Sequence, residues 1–325
     1  MTYEREMQNW KVVYLEVVPS DTAALIASCL PPGFQLSFIK DYSDEEIMRI
    51  LPHVDFALVA THPLPANLIA YGKKLRLIQH QGVGFDKTDV KAARSNGISV
   101  ALCPEGTTIG VAEHTFLLIL ALYKRLLLAS SSLHAGEWRQ FSLRAGSFEI
   151  AGKTLGLVGL GRIGKAVATR AIAFDAKPIY YDLVRYPEEE NQLGINYCSF
   201  DDLLCQSDIV SLHIPSNPET RHIINLKTLT KMRKGSILIN TSRGTLVDQK
   251  DLVEVLASGH LLGAGLDVFE MEPLGADDPL LKLPNVVLTP HIAAGTQDAL
   301  IAKMKACFNN MLLVTKGFKP LHLAN

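Results

Sequence analysis

Several short segments in the second half of the chain have residue types and spacings suited to chemistry on a bound small molecule. Gly159-x-Gly161-x-x-Gly164 follows an apolar strand over 154–158 and opens a helix-favouring segment over 165–174. That arrangement suits a dinucleotide pyrophosphate. The first glycine permits the turn, the second lets backbone approach phosphate, and the third packs helix against strand. Free N–H groups at the helix start face the anion. A second strand over 178–181 ends in Asp182. A carboxylate there can accept hydrogen bonds from a ribose diol and would repel a 2′-phosphate, which favours NAD over NADP. Arg185 nearby is the one feature pointing the other way.

Three further segments place polar groups just beyond apolar strands, where α/β sheets bind ligands. Arg243 in Ile239-Asn-Thr-Ser-Arg243-Gly244 is either a bidentate clamp for a carboxylate or an ordinary loop arginine. In Gly265-Leu-Asp267-Val-Phe-Glu-Met-Glu272-Pro273 a glycine-rich strand leads to several acids, of which Glu270 reads as a solvated surface group. His291 follows a buried strand and Pro290. A histidine held at a strand end beside an arginine and an acid is a candidate general acid/base.

The elements that must position these groups alternate regularly. In the first hundred residues, strands are expected over 12–18, 34–39, 56–60, 75–80 and 98–101, with helices over 21–29, 44–51, 66–73 and 89–95. Asp21 and Ser43 are candidate caps of the first two helices. This alternation argues for a parallel sheet covered by helices, forming a domain that precedes the glycine turn. One long, nearly all-apolar helix is expected over 110–130, buried and in part against a second subunit. The second series continues with strands over 209–214, 237–240, 263–266 and 286–288, and helices over 201–205, 225–232 and 248–258. A last helix over 296–313 is expected to return to the first domain. The fold class is therefore α/β, with two doubly wound parallel-sheet domains separated by a cleft. The expected division is 1–104 with 294–325, and 105–293.

Composition narrows the function classes. Lys plus Arg number 32 and Asp plus Glu 33, so no long-range field favours nucleic acid or an anionic membrane. The most apolar window, 116–122, is too short to span a bilayer. Five dispersed cysteines with no C-x-x-C pair read as reduced thiols in a cytoplasmic protein, with no metal site expected.

Taken together, Gly159-x-Gly-x-x-Gly164, His213-x-Pro215, Asn240-x-x-Arg243-Gly244, Asp267-Val-Phe-x-x-Glu272-Pro273 and Thr289-Pro290-His291 resemble the motif series of the D-2-hydroxyacid dehydrogenase family, in order over nearly the whole chain. Gly82-Val83-Gly84-Phe85-Asp86 and Val111-Ala112-Glu113 are similar to further family elements. The resemblance implies a flavodoxin-like substrate domain and a Rossmann cofactor domain. It implies that Arg243 binds the substrate carboxylate and polarises its carbonyl, that His291 exchanges the proton, and that Glu272 orients His291 and favours its charged form. Val83 and Gly84 would receive the carboxylate through their N–H groups. Gly159, Gly161, Arg162, Ile163, Gly164 and Asp182 would hold the pyrophosphate and adenosine ribose. Ile214, Thr241, Ser242, Asp267, Ala293 and Ala294 would line the nicotinamide half.

The function implied is NAD-dependent interconversion of a small D-2-hydroxy acid and its 2-oxo acid by a homodimer. Alternatives are a dedicated 3-phosphoglycerate dehydrogenase or glyoxylate/hydroxypyruvate reductase, and a non-enzymatic NAD-sensing corepressor-like scaffold. Formate dehydrogenases look similar but carry glutamine at the position of Glu272. Trp138 is similar to a family tryptophan that projects into the partner's cleft in some relatives, or else is an interface or core anchor. His80 and His213 read as structural, and Leu64, Tyr71 and Met271 as possible pocket walls.

Overall fold

The computed structural model describes residues 9–325. The chain divides into two compact units, one running to Thr107 and resuming over Thr296–Asn325, the other spanning Thr108–Gly295.

The first unit holds β1 (Trp10–Tyr14), β2 (Phe34–Phe38), β3 (Phe56–Val59), β4 (Leu77–His80) and β5 (Ser99–Ala101), all parallel, in the order β2-β1-β3-β4-β5. That is the flavodoxin-like order, with its switch point between β1 and β3. Phe56–Val59 is buried on both faces, which explains its unbroken apolar run, and Leu77–His80 is buried likewise although it carries Gln79 and His80. The final helix, Gln297–Thr315, covers one face: Met304, Cys307, Phe308 and Met311 pack with Val12, Tyr14, Phe56 and Leu77. Fully burying each such apolar side chain stabilises the unit by about 1.5–3 kcal/mol.

The second unit holds β6 (Thr154–Val158), β7 (Lys177–Tyr181), β8 (Asn196–Tyr197), β9 (Ile209–Leu212), β10 (Ile237–Asn240), β11 (Gly263–Leu266) and β12 (Val286–Leu288). All pair in parallel, in the order β12-β11-β10-β9-β6-β7-β8. The order reverses between β6 and β9, the Rossmann pattern and its crevice. Because every strand runs the same way, every loop leaving a strand's carboxyl end emerges on one edge.

The sequence-based elements are present with shifted ends, and some differ in kind. The expected helix over 110–130 is two helices, Thr108–Tyr123 and Leu126–His134, bent by 62°. Arg125 between them adopts φ 50, a left-handed conformation that no helix continues through, and Phe148 N–H donates to the freed Tyr123 carbonyl at 2.9 Å. Among the described residues, no single helix is long and apolar enough to cross a membrane. Asp21 is not a cap: the helix starts at Ser20 after Pro19, and Asp21 sits in the first turn, where its charge complements the dipole. Ser43 does cap its helix, accepting from Glu46 N–H at 3.3 Å. The helix expected over 66–73 ends at Ile69, because Gly72 turns the chain tightly against Leu75. A helix over Pro187–Leu193 and the edge strand β8 were not expected, although Pro187 at its first turn, Glu188 to Glu190 after it and Gly194 at φ 65 are its start and stop signals.

Candidate functional site

The site residues of the second unit lie in a row along the carboxyl edge of its sheet. Asp182 follows β7, the glycine turn follows β6, Ile214 follows β9, Arg243 follows β10, Asp267 and Glu272 follow β11, and His291 follows β12.

The three glycines differ in what surrounds them. A Cβ on Gly159 (φ 101) would lie 2.6 Å from the His213 carbonyl, and one on Gly164 would lie 2.2 Å from the Gly159 carbonyl. Both positions are closed by protein. A Cβ on Gly161 would meet nothing within 4 Å. The middle glycine thus opens onto free space at the start of the helix Arg162–Ala173, whose first N–H groups have no partner within the helix. An anion fits there with the positive end of the helix dipole behind it. Asp182 braces this turn, accepting from Leu160 N–H at 2.8 Å. Arg185 is held away by a bidentate pair with Glu190, at 2.9 and 2.8 Å. That guanidinium, together with the Tyr180 hydroxyl, pulls the Glu190 carboxyl down to about 2. His213 donates its backbone N–H to Val158 and pairs its ring with the Ser211 hydroxyl at 2.9 Å. Burial pushes its pKa down to about 4, so it stays neutral and serves the turn structurally.

The chemistry-bearing half is built on Asp267. This residue is fully buried, and its carboxylate accepts from Thr289 Oγ1 (2.6 Å), Ile292 N–H (2.9 Å) and Ala293 N–H (2.8 Å). His114 Nε2 lies 3.5 Å from the same carboxylate and 2.9 Å from Thr289 Oγ1. Asp267 O also accepts from His291 N–H at 2.8 Å. These bonds hold His291 at φ 53, a conformation that costs a non-glycine residue on the order of 1–3 kcal/mol. In return the imidazole stands out from the edge, 43% exposed, with Nδ1 2.8 Å from Glu272 Oε2. The other Glu272 oxygen accepts from Phe269 N–H at 3.1 Å. The ring is thereby oriented through Nδ1, an arrangement in which Nε2 could exchange a proton.

Arg243 sits in a turn fixed by its neighbours. The Asn240 side chain bonds Arg243 O (2.9 Å) and Ser242 N–H (3.0 Å), Ser242 Oγ donates to Ile214 O (2.5 Å), and Thr241 Oγ1 meets Thr115 Oγ1 (3.1 Å). Gly244 then passes against the neighbouring loop so closely that a Cβ would lie 1.9 Å from the Phe269 carbonyl carbon. Gly244→Ala is therefore expected to push the 269–272 loop away from its place. The loss should be about 1–3 kcal/mol or more, with turnover falling further than stability. Thermal unfolding and steady-state kinetics on the purified variant measure both.

Ala293 is buried and Ala294 half-buried beside Asp267, and Ile163 is half-buried in the core under the glycine turn. Val83 and Gly84 belong to the first unit, in the loop after β4, with Val83 exposed. His80 beneath them is buried, pairs with Thr88 Oγ1 at 3.0 Å, and is driven down to about 4 by burial. Leu64 is fully buried in the first unit's core and offers no pocket wall, whereas Tyr71 and Met271 are exposed. Trp138 is no core anchor of this chain, being 78% exposed. Glu270 is not simply solvated: it pairs with Arg221 at 3.0 Å and His222 at 2.6 Å. Sequence spacing gave no signal for that pairing, because the partners lie far apart along the chain.

Residues 116–293 match the model of the D-isomer specific 2-hydroxyacid dehydrogenase family, NAD binding domain. The chain belongs to the D-2-hydroxyacid dehydrogenase family. It is 39% identical over 298 residues to a glyoxylate reductase of Korarchaeum cryptofilum, covering 90% of each chain. It is 42% identical over 259 residues to a hydroxypyruvate reductase of Thermotoga maritima, covering 78% of this chain and 83% of that one. Among solved structures it is similar to a glyoxylate reductase from Paecilomyes thermophila, with a TM-score of 0.82 and 31% identity over 97% of this chain and 98% of that one. Membership of the dehydrogenase family makes the chain an oxidoreductase with a nicotinamide cofactor and favours the enzymatic reading over the scaffold.

Proposed function

We propose that the protein reduces a small 2-oxo acid, of the glyoxylate or hydroxypyruvate kind, to the D-2-hydroxy acid with NADH. The observation that carries this reading is the Glu272–His291 pair, standing on the same sheet edge as the Arg243 turn and the Gly161 helix start. Bound nicotinamide would supply the hydride. His291 would give its Nε2 proton to the carbonyl oxygen, so negative charge there is not left unaided, and take it back in the reverse direction. Glu272 would hold the imidazolium that donates it. Arg243 would bind the substrate carboxylate and stabilise the same developing charge.

NAD is favoured over NADP by two features. Asp182 is positioned at the end of β7 beside the glycine turn, and Arg185 is committed to Glu190. A homodimer is supported by the large apolar side chains exposed on and beyond the helix Leu126–His134: Leu126, Leu127, Leu133, Trp138 and Phe141. The free cysteines fit a cytoplasmic setting.

A screen of glyoxylate, hydroxypyruvate, phosphohydroxypyruvate, pyruvate and bulkier branched 2-oxo acids, each with NADH and NADPH, tests the reading. Highest kcat/KM with NADH and an unphosphorylated small acid is expected. Preference for the phosphorylated acid would reassign the substrate, and NADH binding without turnover on any acid would sink the enzymatic proposal.

A further inference from the structure

The pairing of Glu270 has a use at the site. We propose that His222 is a positioning residue for His291, acting through Glu270 and the loop that carries Glu272. The proposal rests on His291 being the proton-exchanging group. His222 touches both loops concerned. Its backbone N–H donates to Thr245 O at 2.9 Å, just past the Arg243 turn, and its carbonyl accepts from Asn225 Nδ2 at 2.8 Å. These bonds hold it at φ 51, left-handed as Arg125, Asp175 and His291 of this unit are. Its ring then reaches the other loop, Nε2 lying 2.6 Å from Glu270 Oε1, while Nδ1 faces Asp248 Oδ2 at 3.5 Å. Arg221 Nη2 donates to the same Glu270 oxygen at 3.0 Å, and Glu270 N–H donates to Gln249 Oε1 at 3.3 Å.

The Phe269–Glu270 peptide is therefore gripped from two sides. Gly244 backbone lies against it on one side, and the Glu270 carboxylate is tied to Arg221 and His222 on the other. The next functional atoms follow at once: Phe269 N–H holds Glu272 Oε1, and Glu272 Oε2 holds His291 Nδ1. The His222–Glu270 contact is only partly exposed, with side chains 28% and 31% accessible, so solvent competes with it less than with a surface contact. Losing that grip would let Glu272 shift while the fold persists. A displacement of about 1 Å at a catalytic group can cost up to about 10²-fold in rate.

His222→Leu removes the grip, whereas His222→Gln keeps an N–H donor that can reach Glu270. The test compares both with wild type by kcat and KM for a 2-oxo acid and by the proton resonance of the His291 Nδ1–H, assigned through its loss in His291→Asn. The leucine variant should lose about tenfold in kcat with KM little changed, and its Nδ1–H resonance should move or broaden. The glutamine variant should recover most of both. Wild-type turnover in the leucine variant, or equal impairment of both variants with the resonance unmoved, would overturn the proposal. If wild type itself turns over no acid, the redox reading fails instead. The resonance still reports whether His222 orients His291.

Discussion

Replacing His291 by asparagine is expected to lower kcat for reduction of the preferred 2-oxo acid by about 10²–10⁴-fold, with NADH affinity little changed. Asparagine is the informative substitute because it tolerates the left-handed backbone that His291 adopts at φ 53, so the Asp267-held loop can keep its shape. His291→Ala should give a similar kinetic loss with an added cost in stability. The reason for the size is that hydride transfer would leave charge on the carbonyl oxygen, and His291 is the group proposed to supply the proton that meets it. Stopped-flow reduction and fluorescence titration with NADH measure the two quantities separately. Unchanged turnover would remove His291 from the chemistry.

Arg243→Ala is expected to lower kcat/KM by about 10²–10³-fold, the loss expected for one donor aimed at developing charge. Part of it should appear as a raised KM, since the same guanidinium is proposed to hold the substrate carboxylate. Arg243→Lys should recover little, because an ammonium cannot reproduce the planar two-point contact. The turn itself should survive either change: the bonds from the Asn240 and Ser242 side chains to backbone atoms stay in place, while the Arg243 Nη1 bond to Ser242 O, 2.8 Å, goes with the guanidinium. Retained NADH binding with lost turnover in Arg243→Ala separates this outcome from misfolding.

What was legible in the sequence follows the range of the interactions involved. The glycine turn, Asp182 and the β10, β11 and β12 strands are local patterns, and each occurs where its own residues place it. The Glu272–His291 bond was reached through the motif series, and the geometry then supplied what holds it: Asp267, buried and bonded to Thr289, Ile292 and Ala293. Among the acids of one loop, composition could not distinguish this buried carboxylate from the exposed ones. Glu270 was misread as solvated for the same reason, since its partners Arg221 and His222 come from a segment distant in the chain. The break at Arg125 escaped notice because an apolar run records burial but not the sign of φ. Leu126, Leu127 and Leu133 continue that run, yet they are exposed. Burial against this chain's own core and burial against a partner look alike in a sequence.

The stereochemistry of the product tests the central claim most directly. Pyruvate or hydroxypyruvate, reduced with NADH by the purified enzyme, should yield the D-2-hydroxy acid alone when resolved on a chiral column. Formation of the L product would contradict the face of attack proposed for Arg243 and His291, and equal amounts of both would contradict attack on any single face.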